Sequence, residues 1–413
     1  MKNDFDILVI GGGMVGVCTA ALMAADKTLG HLRIGLMDAQ PPTTPPDDHD
    51  IELRVSALSR ATERILNACG AWEKLPPSAR SAYVDMLVWE SAGQPHGPGS
   101  VHFTASATGE PNLGYIVENR RVQWALYEAA PLRQKVEVLR ARLTQLELDP
   151  EAARVHLADG RRLTAGLLIG ADGAESSSRK LAGITTGGWD YGQSAVVAHV
   201  RTERPHRSTA WQRFLSTGPV AFLPLTDGRS SIVWSTTPEE ASALVSAPAE
   251  EFSARLTAAS DNALGAVELA SARAQFPLKL SYANAYCATR FALVGDAAHT
   301  VHPLAGQGVN LGFLDAAALV QTLAEAVSRE GSAALGDRQA LRRYERWRKS
   351  EITVAMGMLD GLNRLFSNSS PLLGRWRRAG LSIVDRNAWA KRFFVEHALG
   401  LAGEVPRIAA TAA

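Results

Sequence analysis

With 413 residues, 46% of them hydrophobic, the chain is long enough for two or three domains around a well-buried core. A formal net charge of +1 argues against a dedicated nucleic-acid binder. Cys18, Cys69 and Cys287 stand far apart with no CxxC, which argues against a disulfide scaffold or zinc site and makes a reducing, cytoplasmic setting the expectation.

The N-terminal segment reads as a βαβ unit. Strand Asp6–Ile10 runs into Gly11-Gly12-Gly13-Met14-Val15-Gly16 and then a small-residue helix from Val17 to about Ala25. A second strand, Arg33–Met37, ends at Asp38, 22 residues after Gly16. That is close to the ~20 residues expected for an acid that binds an adenosine ribose. Alone, a GxGxxG pattern is weak; here strand, helix and acid stand where a dinucleotide needs them. No basic segment and cleavage site mark the apolar start as a signal peptide. No uninterrupted apolar run of ~18 residues predicts a transmembrane helix.

Pro41 to Asp50 is a proline-rich acidic loop, and helical periodicity resumes over Val55–Ala68. Strands are expected at Met86–Trp89 and Val101–Phe103, a helix at about Arg121–Ala130, and strands at Val136–Leu139, Leu143–Leu148 and Arg154–Leu157. Leu167–Gly170 reads as a buried parallel strand ending in Ala171-Asp172-Gly173-Ala174. From Ser194 to Trp234 the alternation predicts antiparallel strands, hence a β-rich domain inserted between pieces of the first. Phe291–Val294 feeds GDAAHTVHPLAGQGVNLGFLD, residues 295–315, and an apolar helix from Leu311 to Leu323. The tail from Leu341 to Leu401 reads as helices broken around Ser367–Pro371.

The 295–315 run narrows function furthest. A strand ending in Gly295-Asp296 suits a carboxylate that accepts hydrogen bonds from a chain of hydroxyls. The loop from Pro303 through Gly306, Gln307 and Gly308 to Val309 and Asn310 lets backbone N–H groups approach a flat, electron-rich ring. Entering a helix, it aims partial positive charge at that ring, as a reduced flavin requires.

Together the glycines at Gly11, Gly13 and Gly16, the Asp172-Gly173 pair and Gly295-Asp296 resemble the flavoprotein aromatic hydroxylases with a single dinucleotide-binding domain. Ser176 and Arg179 stand at the spacing of that family's central motif. HPLAGQGVNLGFLD, from His302 to Asp315, resembles the signature of the ubiquinone-biosynthesis hydroxylases, and among their branches the chain is most similar to the 2-polyprenylphenol hydroxylases. Arg54-Val55-Ser56-Ala57-Leu58 resembles the family's flavin-proximal arginine segment. Asn119 stands where many relatives outside the quinone branch carry arginine, and Asp38 replaces the usual glutamate.

The resemblance implies an α/β fold: an FAD-binding, Rossmann-like domain of the p-hydroxybenzoate hydroxylase type (1–80, 110–190, 280–340), an inserted antiparallel substrate domain (81–109, 191–279) and a C-terminal helical region (341–413). It implies FAD held by Gly11, Gly13, Gly16, Asp38, Arg54, Asn119, Asp172, Gly173, Asp296 and the Pro303–Asn310 loop. Asp172 also has a purely structural alternative, capping the next helix. The implied chemistry is reduction of FAD by NAD(P)H or another donor, addition of O2 to give the flavin C4a-hydroperoxide, and oxygen transfer to a polyprenylated phenol. No metal is expected.

His299 and His302 are candidates for a base or proton relay. A backbone-anchoring role is preferred for both, because a flavin loop needs anchoring with or without a base. Phe214, Phe222, Leu223, Leu225, Trp234 and Phe276 are candidates for the groove holding a prenyl tail, with plain core as the alternative. Between Leu341 and Gly400 stand twelve Arg/Lys against five Asp/Glu, interleaved with aromatics, which suits an anionic membrane surface or an oligomer contact. The expectation is a homo-oligomer, cytoplasmic or peripheral at the inner face of the membrane, beside other ubiquinone-biosynthesis proteins. Two other functions stay open: hydroxylation of a small aromatic acid clamped by Arg201 or Arg213, and a non-catalytic flavoprotein scaffold.

Overall fold

The central strand of the first sheet is Phe5–Ile10, paired in parallel with Ile34–Asp38 on one side and Arg162–Gly170 on the other. Val136–Arg140 and Phe291–Leu293 extend the two edges, again in parallel. The computed structural model behind these assignments describes residues 3–45, 50–301, 307–366 and 380–410. Ile7-Leu8-Val9 and Leu167-Leu168-Ile169 are fully buried, as continuous apolar runs must be when helices cover both faces of a parallel sheet. Leu143–Leu148 and Ala153–Leu157 form an antiparallel ribbon on Arg162–Gly170.

Two helices carry the packing behind the nucleotide loops. Met14–Ala25 is apolar all round because it lies between the sheet and other helices. Gln307–Glu330 is long and apolar enough to cross a bilayer by length and composition, yet Phe313, Ala316, Leu319 and Leu323 are buried in the protein core.

Among the described residues the second sheet has nine strands. Its path runs from His299–Thr300 through Ala274–Ala283, Thr186–Thr202, Ser230–Thr236, Gly218–Pro224, Thr209–Leu215 and Asp85–Glu90 to Ser100–Thr104. Thr186–Thr202 runs across the domain boundary expected at 190/191. Two helices that the sequence reading did not anticipate, Pro238–Ser246 and Ala249–Ala259, cover one face of this sheet. Its other face looks toward the nucleotide loops and forms a cleft.

One element departs from expectation. Val55–Leu58 is not the start of a helix but a strand, paired antiparallel with Gly114–Glu118 beside Ser81–Tyr83. The helix begins only at Arg60, where the Ser59 hydroxyl accepts from the Thr62 N–H. The expected helix over Arg121–Ala130 is Asn119–Tyr127 followed by the short Ala130–Lys135. In the tail, Arg338–Phe366, 380–386 and Ala388–Ala398 are helical. The break expected at Ser367–Pro371 lies outside the described residues.

Candidate active site

The nucleotide end is built by steric permission. Gly11 has φ +109°, and a Cβ there would overlap the Ala171 carbonyl of the neighbouring loop. A Cβ on Gly16 would strike the Gly11 carbonyl, so only glycine lets the helix sit this close to the turn. Gly13, at the helix N-cap, faces open space, and no acidic residue occupies the first turn of Met14–Ala25. An unopposed helix N-terminus with room in front of it suits a pyrophosphate. Asp38 is fixed at the tip of its strand, accepting from the Gly12 N–H at 2.6 Å and the Gln40 N–H at 2.7 Å. Gln123, which the sequence did not single out, donates its amide to the Gly12 carbonyl at 2.5 Å.

The central motif divides its labour. Asp172 accepts from the Ser176 hydroxyl (2.5 Å), the Ser178 hydroxyl (2.7 Å) and the Ser178 N–H (2.9 Å), so its carboxylate shapes the turn into Ser177–Leu181. Gly173, at φ +82°, instead lines the cleft. Buried Arg179 donates to the Ala174 carbonyl at 2.8 Å and the Ala297 carbonyl at 2.7 Å. That guanidinium fastens the central motif to the late one.

In the late motif, Asp296 reaches the cleft from the turn Gly295–Ala297. It is accessible to solvent through the cleft but surrounded by protein. Burial raises its pKa above the usual carboxylate value, against the opposing influence of His299 and Arg54. Beneath it lies a buried polar centre. Asp315 accepts from His299 Nε2 at 2.6 Å, the Gly295 N–H at 3.0 Å and Arg348 Nε at 2.7 Å. His299 therefore faces Asp315 rather than the cleft, bonded to a side-chain carboxylate and not to the backbone as expected. Its fellow candidate His302, with Pro303 and Gly306, lies outside the described residues.

Gln307 opens the helix Gln307–Glu330, and Gly308 and Val309 line the cleft. Asn310 points elsewhere. Its amide donates to the Ala57 carbonyl at 2.8 Å, while its oxygen accepts from the Ser59 N–H at 2.9 Å and the Thr62 hydroxyl at 2.8 Å. It clips the late helix to the arginine segment. Asn119 lines the cleft and accepts from Ser56 at 2.7 Å, and Arg54 lies over the Phe276 ring at 5.7 Å.

The cleft has a volume of about 480 Å³. From the second sheet it is walled by Val197, Ala221, Leu223, Ser231, Val233 and Phe276. Of the residues expected in the prenyl groove, Leu223 and Phe276 are among the lining of this cleft. Phe222 and Trp234 are not: they pack on the opposite face against Leu244, Phe252 and Leu256. Neighbours on one strand point to opposite faces, so Phe222 and Leu223 cannot share a wall. Leu225 packs with Ala57 and Ile116 in a small separate cluster.

Phe214 opens onto a second space of about 360 Å³, overwhelmingly apolar, lined by Val88, Val101, Phe103, Leu359, Phe366 and residues of the C-terminal helices. Tyr83, Met86, Gln212 and Ala398 line both this cavity and the cleft, so these side chains stand between the two spaces. Val354 and Leu365, 57% and 39% exposed, place its outer end at the surface.

The open space at Gly13 and Gly173, the acid at the tip of the second strand and Asp296 in the cleft together fit a bound FAD. Comparison with known proteins agrees. The FAD binding domain family matches residues 4–353. Ubiquinone hydroxylase UbiL of Rhodospirillum rubrum is 36% identical over 407 residues, covering 98% of this chain and 92% of that protein. The 3-demethoxyubiquinol 3-hydroxylase of Escherichia coli is 34% identical over 399 residues, covering 96% and 98%. The crystal structure of p-nitrophenol 4-monooxygenase PnpA from Pseudomonas putida DLL-E4 shares the fold, with a TM-score of 0.77 at 18% identity, covering 97% of this chain and 99% of that one.

Proposed function

This chain belongs to the FAD binding domain family, among its ubiquinone-biosynthesis hydroxylases, and from that premise we propose that it hydroxylates the ring of a polyprenylated ubiquinone precursor. The observation that carries this reading is the apolar cavity adjoining the flavin cleft. A ring seated in the cleft would send its tail past Tyr83, Met86, Gln212 and Ala398 into the cavity. When bound and reduced by NAD(P)H or another donor, FAD supplies the activation of O2.

The chain's own residues supply placement. Gly13 and Gly173 leave room for the phosphates, Asp296 offers its carboxylate to the ribityl hydroxyls, and Val197, Leu223, Val233 and Phe276 keep water from the reacting ring. The small-acid alternative loses support because neither clamp candidate lines the cleft. Arg213 donates to the carbonyls of Ala258, Ala259 and Ser91, and Arg201 sits on the strand beside Glu268. A non-catalytic scaffold would bind FAD yet show no substrate-dependent oxygen consumption.

Ala355 is half-buried and lines the tail cavity from Arg338–Phe366. Ala355→Trp should fill that space, lowering kcat/KM for a geranylated phenol about tenfold or more while leaving FAD content unchanged. Steady-state oxygen consumption reads this, and an undiminished kcat/KM would remove the tail from the cavity.

We further propose a peripheral position on an anionic inner leaflet. Trp389, Ile383 and Phe393 are 77%, 64% and 42% exposed on the C-terminal helices. Phe394, Val395 and Ala398 of the same helix line the cavity, so a helix resting on lipid would stand beside the route taken by the tail. Trp389→Ser with Phe393→Ser should weaken binding to phosphatidylglycerol vesicles about tenfold in a sedimentation assay. Equal binding by the parent and the double variant would place the contact elsewhere.

A further inference from the structure

Four side chains line both the cleft and the cavity: Met86 and Gln212, on the same face of neighbouring strands, together with Tyr83 and Ala398. Gln212 occupies the middle of Thr209–Leu215, in register with cleft-lining Ala221 on one neighbouring strand and cavity-lining Val88 on the other. It is only 6% exposed. Neither its amide nor the Tyr83 hydroxyl has a hydrogen-bond partner among the described residues. Burial pushes the Tyr83 phenol up to about 12, so near neutrality it is a hydrogen-bond donor.

The polar atoms of Gln212 are not sealed in protein but open onto the space it lines, and nothing in the packing here requires a polar side chain. A hydrocarbon tail offers neither group a partner. At a neck where ring gives way to tail, the polar atoms at hand are oxygens on the ring next to the prenylated carbon. We propose that Tyr83 and Gln212 are ring-positioning residues that hydrogen-bond the ring oxygen adjacent to the tail. They thereby fix which ring carbon faces the flavin.

This inference rests on the tailed-ring reading and makes it specific to an oxygen substituent ortho to the tail. Two probes separate the claims: 2-geranylphenol, and geranylbenzene, which lacks the oxygen. Binding is read from the perturbed flavin absorbance of the FAD-loaded full chain. The wild-type protein should favour 2-geranylphenol by about tenfold, the scale of a neutral hydrogen bond.

Tyr83→Phe with Gln212→Met removes the polar atoms at nearly constant volume. It should bring that preference to about unity, leave geranylbenzene binding unchanged, and divert reduced flavin from hydroxylated product to hydrogen peroxide. Tyr83→Phe alone removes a single oxygen atom and should give an intermediate preference should the double variant fail to fold. A wild-type preference and product yield in the variants, with geranylbenzene still bound, overturns the positioning role and leaves the tail cavity standing. A wild-type protein that binds neither probe overturns both.

Discussion

Asp315→Ala should lower the unfolding free energy by about 3–5 kcal/mol and strip the protein of FAD, the largest loss expected from any single polar side chain here. Asp315 is fully buried, and its carboxylate is the common acceptor for His299, Arg348 and the Gly295 N–H. Arg348 is itself buried, with one terminal nitrogen already lacking a partner. Removing the carboxylate leaves a guanidinium uncompensated in the interior and frees the Gly295 turn that presents Asp296. Chemical denaturation of the apoprotein at neutral pH reads the loss, and a change under about 1 kcal/mol would show that the centre is not structural.

The same centre predicts a pH dependence. Burial alone would raise the Asp315 pKa, but His299 and Arg348 outweigh it and hold the carboxyl below its ordinary value. A depressed folded pKa means the unfolded chain takes up the proton first as pH falls. The stabilisation is therefore complete above the unfolded value of about 4 and is lost as pH drops through the lower folded value. Asp315→Asn should remove this component from the acid limb of stability.

Asp296→Ala should behave in the opposite way. Its carboxylate is exposed in the cleft, so the apoprotein should be about as stable as the parent. FAD affinity should fall by about 10- to 100-fold, the scale of hydrogen bonds to a charged group, and the purified protein should be colourless. Retained yellow colour at parental stoichiometry would mean that Asp296 does not hold the ribityl chain.

How much of this was legible in the sequence follows the range of each interaction. Ile7–Ile10, the glycines and Asp38 lie in one local unit whose periodicity and sterics are written in consecutive residues, and that unit folds as expected. Val55–Leu58 reads locally as helix, yet its conformation is decided by pairing with Gly114–Glu118, far along the chain. The alternation of Gly218–Pro224 announced a strand but not which of its faces meets the cleft. That is set by the unanticipated helices over Phe222 and Trp234. The tail cavity takes its walls from the Val88, Val101, Phe214 and Leu359 segments, so no single stretch of sequence carries it. Asn310 stands inside the motif that resembles a flavin contact, and its side chain also clips the late helix to Ala57 and Ser59, a role only the three-dimensional contact reveals.

One atom of dioxygen should enter the ring of a tailed phenol bound across cleft and cavity. Reducing the FAD-loaded protein anaerobically, adding 2-geranylphenol, mixing with 18O2 and weighing the extracted product by mass spectrometry reads this incorporation. One 18O atom on the ring is expected, with a much lower yield from phenol without the geranyl chain. Flavin reoxidation that releases only labelled hydrogen peroxide, or equal yields with and without the tail, would contradict it.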